Sequence, residues 1–190
     1  VLFRSFAGRA PTTGAGALRL AEAHRRGGDP DSAARLIGDA WRRMALSEPQ
    51  EKEILQRFSG NLSTDDHVAR VDRLVWDRQF TEARRILRLL PPERRLVAEA
   101  RIRLARDTHD AADFAARLPK ELRNDPGLLF ERARYNRRNG HDELALAIHL
   151  AAEAPLGRPD LWWRERDVIA RRLLREGRTA EALSLVEPLH

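Results

Sequence analysis

Gly140-His141-Asp142-Glu143-Leu144-Ala145 is echoed by Gly177-Arg178-Thr179-Ala180-Glu181-Ala182, and each stretch is flanked on both sides by amphipathic helical pattern. The pattern predicts helical hairpins. A helix that turns back on itself commonly needs a residue in the left-handed region just after its last turn, which glycine adopts without a Cβ clash. Five residues on, alanine offers a small side chain where the second helix crosses the first. The same frame fits Gly28 to Ala33 and, with Arg78 in the glycine place, Arg78 to Ala83. There the missing glycine predicts a lengthened turn or another φ/ψ solution. Each hairpin leaves an apolar face that it cannot bury alone, so neighbours must stack. The expected fold is all-α, an α-solenoid or superhelix of irregular hairpins with about ten to eleven helices. The four alanines are 50, 62 and 37 residues apart, too uneven for identical repeats, so extra helices are expected between the recognisable hairpins.

Composition agrees with that reading. The 190 residues are 42% apolar and 34% charged, with one Tyr and six Phe, so strand-favouring residues are sparse. Lys and Arg number 35 against 29 Asp and Glu, a formal net charge of +6 carried mostly by arginine. Arginine along helix faces is read as solvated surface with i,i+4 partners, and the excess favours a polyanionic partner without choosing one. Cysteine is absent, which excludes a disulfide framework, a thiolate metal site and a catalytic thiol. No apolar run approaches the roughly 20 residues that span a bilayer. Val1-Leu2-Phe3-Arg4-Ser5 resembles the in-frame translation of a sequencing-library adaptor, and residues 1–13 are expected to be a non-native or disordered segment.

Residues 17–27 and 30–45 read as the first hairpin, with Asp29 capping the second helix and Pro30 in its first turn. The stripe Ala33, Leu36, Ile37, Ala40, Trp41 and Met44 is its buried face. A short helix follows Ser47. Ser63-Thr64-Asp65-Asp66 offers caps for a helix whose inner face is Val68, Val71, Leu74 and Val75. The next helix stops at Pro91-Pro92, because proline lacks the donor and restricts the residue before it. Helical pattern resumes through Leu96, Ala100 and Leu104, then over 111–118, then from Asn124-Asp125-Pro126 with Leu129, Phe130 and Ala133 inside. Its partner holds Ala145, Ile148 and Ala152. The longest helix begins at Pro159-Asp160 and packs Trp163, Ile169, Ala170, Leu173 and Leu174, and the last buries Ala182, Leu185, Val186 and Leu189. No linker interrupts the series, so residues 14–190 are expected to form one superhelical scaffold domain. The open apolar stripe of the last helix predicts that the native chain continues beyond residue 190.

Candidates for chemistry are few. The histidines His24, His67, His109, His141, His149 and His190 are scattered and show no metal-ligand spacing, and His141 and His149, eight residues apart, read as solvated surface rather than ligands. Asp65-Asp66-His67 sits at a helix start, where capping and dipole compensation account for it better than metal binding. No glycine-rich phosphate loop is present, and Gly14-Ala15-Gly16 is too short to count. No catalytic, metal-binding or cofactor-binding residue is assigned, and no cofactor is expected. Trp162-Trp163-Arg164-Glu165-Arg166 is the most unusual stretch. Adjacent tryptophans point about 100° apart on a helix, so one fills the interhelical seam while the other reaches the rim, where its face could stack on a sugar ring. Trp162, Trp163, Arg164 and Arg166 are therefore the candidate glycan contacts.

Asp66-His67-Val68-Ala69-Arg70-Val71-Asp72-Arg73-Leu74-Val75-Trp76, then Ala83-Arg84-Arg85-Ile86-Leu87, Asn124-Asp125-Pro126-Gly127-Leu128 with Glu131-Arg132, and Arg158-Pro159-Asp160-Leu161-Trp162-Trp163-Arg164-Glu165-Arg166 occur in an order and spacing that resembles one family. That family is the soluble lytic murein transglycosylases, in their α-superhelical, U-shaped, non-catalytic region. The resemblance runs from about Gly14 to Leu189. It implies a periplasmic protein in which this scaffold positions peptidoglycan glycan strands, its signal peptide lost with the truncated start. A lysozyme-like domain downstream would carry the catalytic glutamate, normally followed by serine, and cleave the MurNAc-GlcNAc bond without hydrolysis. No Glu-Ser pair occurs in these residues, so no catalytic residue is carried over and this part alone is expected to be inactive. Its expected partners are glycan strands and that missing domain, with no nucleic acid and no transmembrane segment. The alternative is a tetratricopeptide-like adaptor for protein-protein interaction, without enzymatic activity.

Overall fold

A computed structural model describes residues 10–186, which contain eleven α-helices and no strand. The protein is all-α. Contacts gather the chain into two compact units that divide at Pro91-Pro92. The first holds α1 (Gly14–Arg26), α2 (Pro30–Arg43), α3 (Glu48–Arg57), α4 (Thr64–Trp76) and α5 (Phe80–Ile86). The second holds α6 (Pro92–Arg106), α7 (Ala111–Ala116), α8 (Pro126–Arg138), α9 (Asp142–Ala151), α10 (Pro159–Arg175) and α11 (Thr179–Val186). Of the segment expected to be non-native or disordered, residues 1–9 lie outside the described residues, while Thr13 caps α1 by accepting the Gly16 N–H at 3.1 Å.

Polar side chains start the helices where their first N–H groups lack partners. Asp29 accepts the Ser32 N–H at 3.0 Å and Asp125 accepts the Leu128 N–H at 2.9 Å, each with proline next in sequence to open the helix. Ser63 and Asp66 form a reciprocal capping box at α4, Asp66 accepting the Ser63 N–H at 2.8 Å. Asp65-Asp66-His67 thus begins a helix.

The hairpin turns share one backbone solution. Gly28, Gly140 and Gly177 have φ of +80°, +77° and +77°, and Arg78 takes the same left-handed conformation at +63°. The turn at Arg78 is therefore neither lengthened nor differently folded, contrary to the sequence expectation. Two hydrogen bonds fix each turn: Gly28 N–H to Arg25 and Asp29 N–H to His24, Arg78 to Val75 and Gln79 to Leu74, Gly140 to Arg137 and His141 to Asn136, Gly177 to Leu174 and Arg178 to Leu173. This is the Schellman pattern, which satisfies the last carbonyls of the first helix. A fifth copy, which the glycine search misses, lies at Asp107, where φ is +57° and the bonds run from Asp107 to Leu104 and from Thr108 to Arg103. Aspartate tolerates this region better than most side chains.

Ala33, Ala83, Ala145 and Ala182 are all buried at 3% exposure or less, so the small residue of each turn unit faces the interior. In the first unit α1 packs on α2, α2 on α4 and α4 on α5. In the second, α6 packs on α7 and α8, α8 on α9, and α10 on both α9 and α11. Ala145, Leu146, Ile169, Ala170, Leu173, Ala182 and Leu185 form the core shared by α9, α10 and α11. Two residues expected inside α10 are outside: Trp163 and Leu174 are each 53% exposed. They stand eleven residues apart, about three turns, and share the outer face, while Trp162, Arg166, Ile169 and Leu173 follow the inner one. Among the described residues no helix is long and apolar enough to cross a membrane.

Candidate functional site

The first unit is organised around a buried cation. Arg70 on α4 is fully buried; its Nη2 donates to Glu51 of α3 at 2.6 Å and its Nη1 to the Trp41 carbonyl at the end of α2 at 2.7 Å. The guanidinium carbon lies 4.6 Å from the Trp41 ring centroid, within cation–π range. Arg85 reaches the other Glu51 oxygen at 2.9 Å. Arg73, one turn along α4, donates to the Arg42 carbonyl at 2.8 Å and to Met44 at 3.1 Å. These arginines occupy the carbonyls that the end of α2 leaves without partners. Burial pulls the Arg70 pKa below the ordinary arginine range, and Glu51 opposes that shift.

Asp66 pairs with Arg42; burial alone would raise its pKa, but the Ser63 backbone and hydroxyl and Arg42 together hold it below the ordinary carboxylate range. His67 stacks edge-on against Trp41 at 5.5 Å between ring centroids, and burial lowers its pKa. No group of three His, Cys, Asp or Glu side chains suited to a metal ion gathers among the described residues.

The second unit holds the four candidate glycan contacts, and helical phase splits them. Trp162 is 1% exposed, its indole N–H donating to the Leu156 carbonyl at 3.2 Å and its ring edge-on to Phe130 and His149 at 5.6 and 5.2 Å. Arg166 is 4% exposed and donates to the His149 carbonyl at 2.7 Å and to the Leu185 carbonyl at 3.4 Å, so it ties α10 to α9 and α11. Both are closed to solvent as packing and clamping residues. Trp163 and Arg164 face outward and are exposed. Only that pair keeps a surface that a sugar ring can reach.

Two further readings need correction. Arginine is not confined to solvated surface: Arg70, Arg101 and Arg166 are buried at 4% exposure or less. His149 is not a surface histidine either. It is fully buried beside Trp162, and burial first, with Arg166 and Arg137 adding to it, pushes its pKa down to about 3. The ring is neutral throughout the physiological range. Arg70 and His149 were missed because a stripe search admits apolar residues only. The available signal was their phase, since each sits where the helical period demands an inward side chain.

Comparison of the chain with protein-family models, with curated proteins and with solved structures gives no match. The functional reading therefore rests on the residues themselves.

Proposed function

We propose that this chain is the non-catalytic helical scaffold of a periplasmic peptidoglycan lytic transglycosylase, positioning glycan strands for a lysozyme-like domain that these residues do not include. One observation carries the reading. The stretches that resemble the lytic transglycosylase superhelix contain the residues that lock the hairpins together: Asp66, Arg70 and Arg73 in α4, and Trp162 and Arg166 in α10. A scaffold is constrained by its packing, so a likeness concentrated on clamps and seams is the signature expected of one. Trp163 and Arg164 supply an aromatic face and a cation beside it, the chemistry that suits a sugar ring on an anionic wall polymer.

The rival reading is a tetratricopeptide-like adaptor. It is favoured by the left-handed turn residues 78, 107, 140 and 177, whose spacings of 29, 33 and 37 lie near the 34-residue period of that repeat.

Co-sedimentation with purified sacculi separates the two. The wild-type chain is expected to pellet with sacculi at low ionic strength, and the double variant Trp163→Ala, Arg164→Ala to lose most of that binding. The chain alone is expected to release no anhydromuropeptides. A folded wild-type chain that stays in the supernatant overturns the scaffold reading and leaves the adaptor.

A further inference from the structure

Arginines converge on a cavity of about 330 Å³ in the second unit, lined by Arg137 and Arg138 from the last turn of α8, Asp142 from the start of α9, and Val168, Ile169, Arg172 and Arg175 from α10. Its charge does not balance. Arg137 and Arg134 share Glu165 at 2.6 and 3.2 Å, Arg138 pairs with Asp107 at 3.3 Å, and Arg172 pairs with Asp142 at 2.5 Å. Arg175 has no ion-pair partner among the described residues. Four guanidiniums thus line the cavity, three of them paired with a carboxylate, and Arg175 remains in excess beside them.

The last turn of α8 and one face of α10 hold these cations close together. α10 reaches the cavity with Arg172 and Arg175, three residues apart and therefore on one side of the helix. The turn at Gly140 folds α9 back so that its first residue, Asp142, closes the opposite wall. Guanidinium forks match planar or tetrahedral oxyanions in paired hydrogen bonds. The volume lies at the small end of ligand sites and holds about ten waters, enough for a compact oxyanion of about a dozen heavy atoms. Ile169 is buried and Val168 exposed on the same helix as Arg172 and Arg175, so α10 adds an apolar part to the lining beside its arginines.

We infer that this cavity is a binding site for a small oxyanion, recognised through carboxylate or phosphate groups. The inference is independent of the glycan reading, since Trp163 and Arg164 do not line the cavity. Its ligand neutralises the excess of the arginine network, with Arg175 the cation free to close on it.

Calorimetric titration with citrate and with pyrophosphate, each against sodium chloride of equal ionic strength, tests the site. Saturable one-to-one binding of at least one probe is expected, weakened tenfold or more by Arg175→Glu. Arg117→Glu, the same charge change at an arginine 79% exposed elsewhere in the same unit, is expected to change the affinity less than twofold. Which probe binds distinguishes a carboxylate from a phosphate ligand. Binding by neither probe, or equal weakening in both variants with circular dichroism unchanged, overturns the inference, because the effect is then absent or one of net charge.

Discussion

The Arg70 guanidinium carbon lies 4.6 Å from the Trp41 ring centroid while the same group hydrogen-bonds the Trp41 backbone carbonyl, so one side chain of α4 grips both the ring and the main chain at the end of α2. Glu51, from the inserted helix α3, completes the charge pair at 2.6 Å with 3% of its side chain exposed. Removing one member of a buried pair strands the other. Glu51→Gln and Arg70→Met are each expected to destabilise the chain by about 3–5 kcal/mol, whereas joint replacement by apolar residues of similar volume costs less than the two single changes together. Urea unfolding of the singles and the double measures this. Additive losses would show that Glu51 and Arg70 act separately.

Left-handed backbone at Arg78 predicts a gain from glycine. Arg78→Gly relieves a conformation that costs a Cβ-bearing residue about 1–2 kcal/mol and loses the contacts of a half-buried side chain, among them a cation–π contact to Phe80 at 5.8 Å worth about 0.5 kcal/mol. A net rise of about 1 kcal/mol is expected. At Gly177 an added Cβ meets nothing within 4 Å, so Gly177→Ala reports backbone strain alone and should lose about 1 kcal/mol. Opposite signs in the two unfolding midpoints are the outcome to look for; a loss at both positions would mean that Arg78 contributes more by its contacts than its φ costs.

Ala182 is 3% exposed in the cluster that joins α11 to α10. Ala182→Leu is expected to overpack this crossing and cost about 1–3 kcal/mol. An unchanged denaturation midpoint would place Ala182 away from the closest approach of the two helices.

The hairpins were legible in the sequence because their two requirements are local. A left-handed residue and a small crossing residue five positions later can be counted without knowing the tertiary structure, and Gly28, Gly140 and Gly177 all occupy that state. Asp107 was not legible, since aspartate is permitted there but not required, and its buried alanine, Ala111, follows one residue early. The stripes erred by single positions for a related reason. Val97, Leu128 and Trp162 are buried where Leu96, Leu129 and Trp163 were expected, because neighbouring apolar residues give a helical phase little to choose between. Partners such as Glu51 for Arg70, nineteen residues apart, depend on how α3 folds back, which no local pattern encodes. The candidate glycan stretch was legible as unusual, while its division into a buried and an exposed pair needed the phase of α10.

His149 makes stability depend on pH within a defined window. Its folded pKa of about 3 lies below the ordinary 6.5, chiefly through burial and then through Arg166 and Arg137. The unfolded chain therefore binds the proton more readily, so the stabilisation is complete above pH 6.5 and is lost as pH falls toward 3. Between pH 6.5 and 5 the loss is about 2 kcal/mol, from roughly 1.4 kcal/mol per unit. His149→Phe keeps a ring against Trp162 and removes the proton site. Denaturant midpoints at pH 7.5, 6.0 and 5.0 should fall steeply in the wild type and little in the variant, and parallel slopes would remove His149 as the cause.

The four tryptophans divide sharply by exposure, with Trp41, Trp76 and Trp162 at 6% or less and Trp163 at 53%. Iodide, which quenches only solvent-exposed indoles, should reach Trp163 alone, and Trp163→Phe should abolish the quenchable fraction. The same division sets opposite costs for truncation. Trp162→Ala opens a cavity between Phe130 and His149 and is expected to lose about 3–5 kcal/mol, whereas Trp163→Ala should fall within about 0.5 kcal/mol of wild type. A destabilised Trp163→Ala would assign that ring to packing, and its exposed face would no longer be available to a glycan.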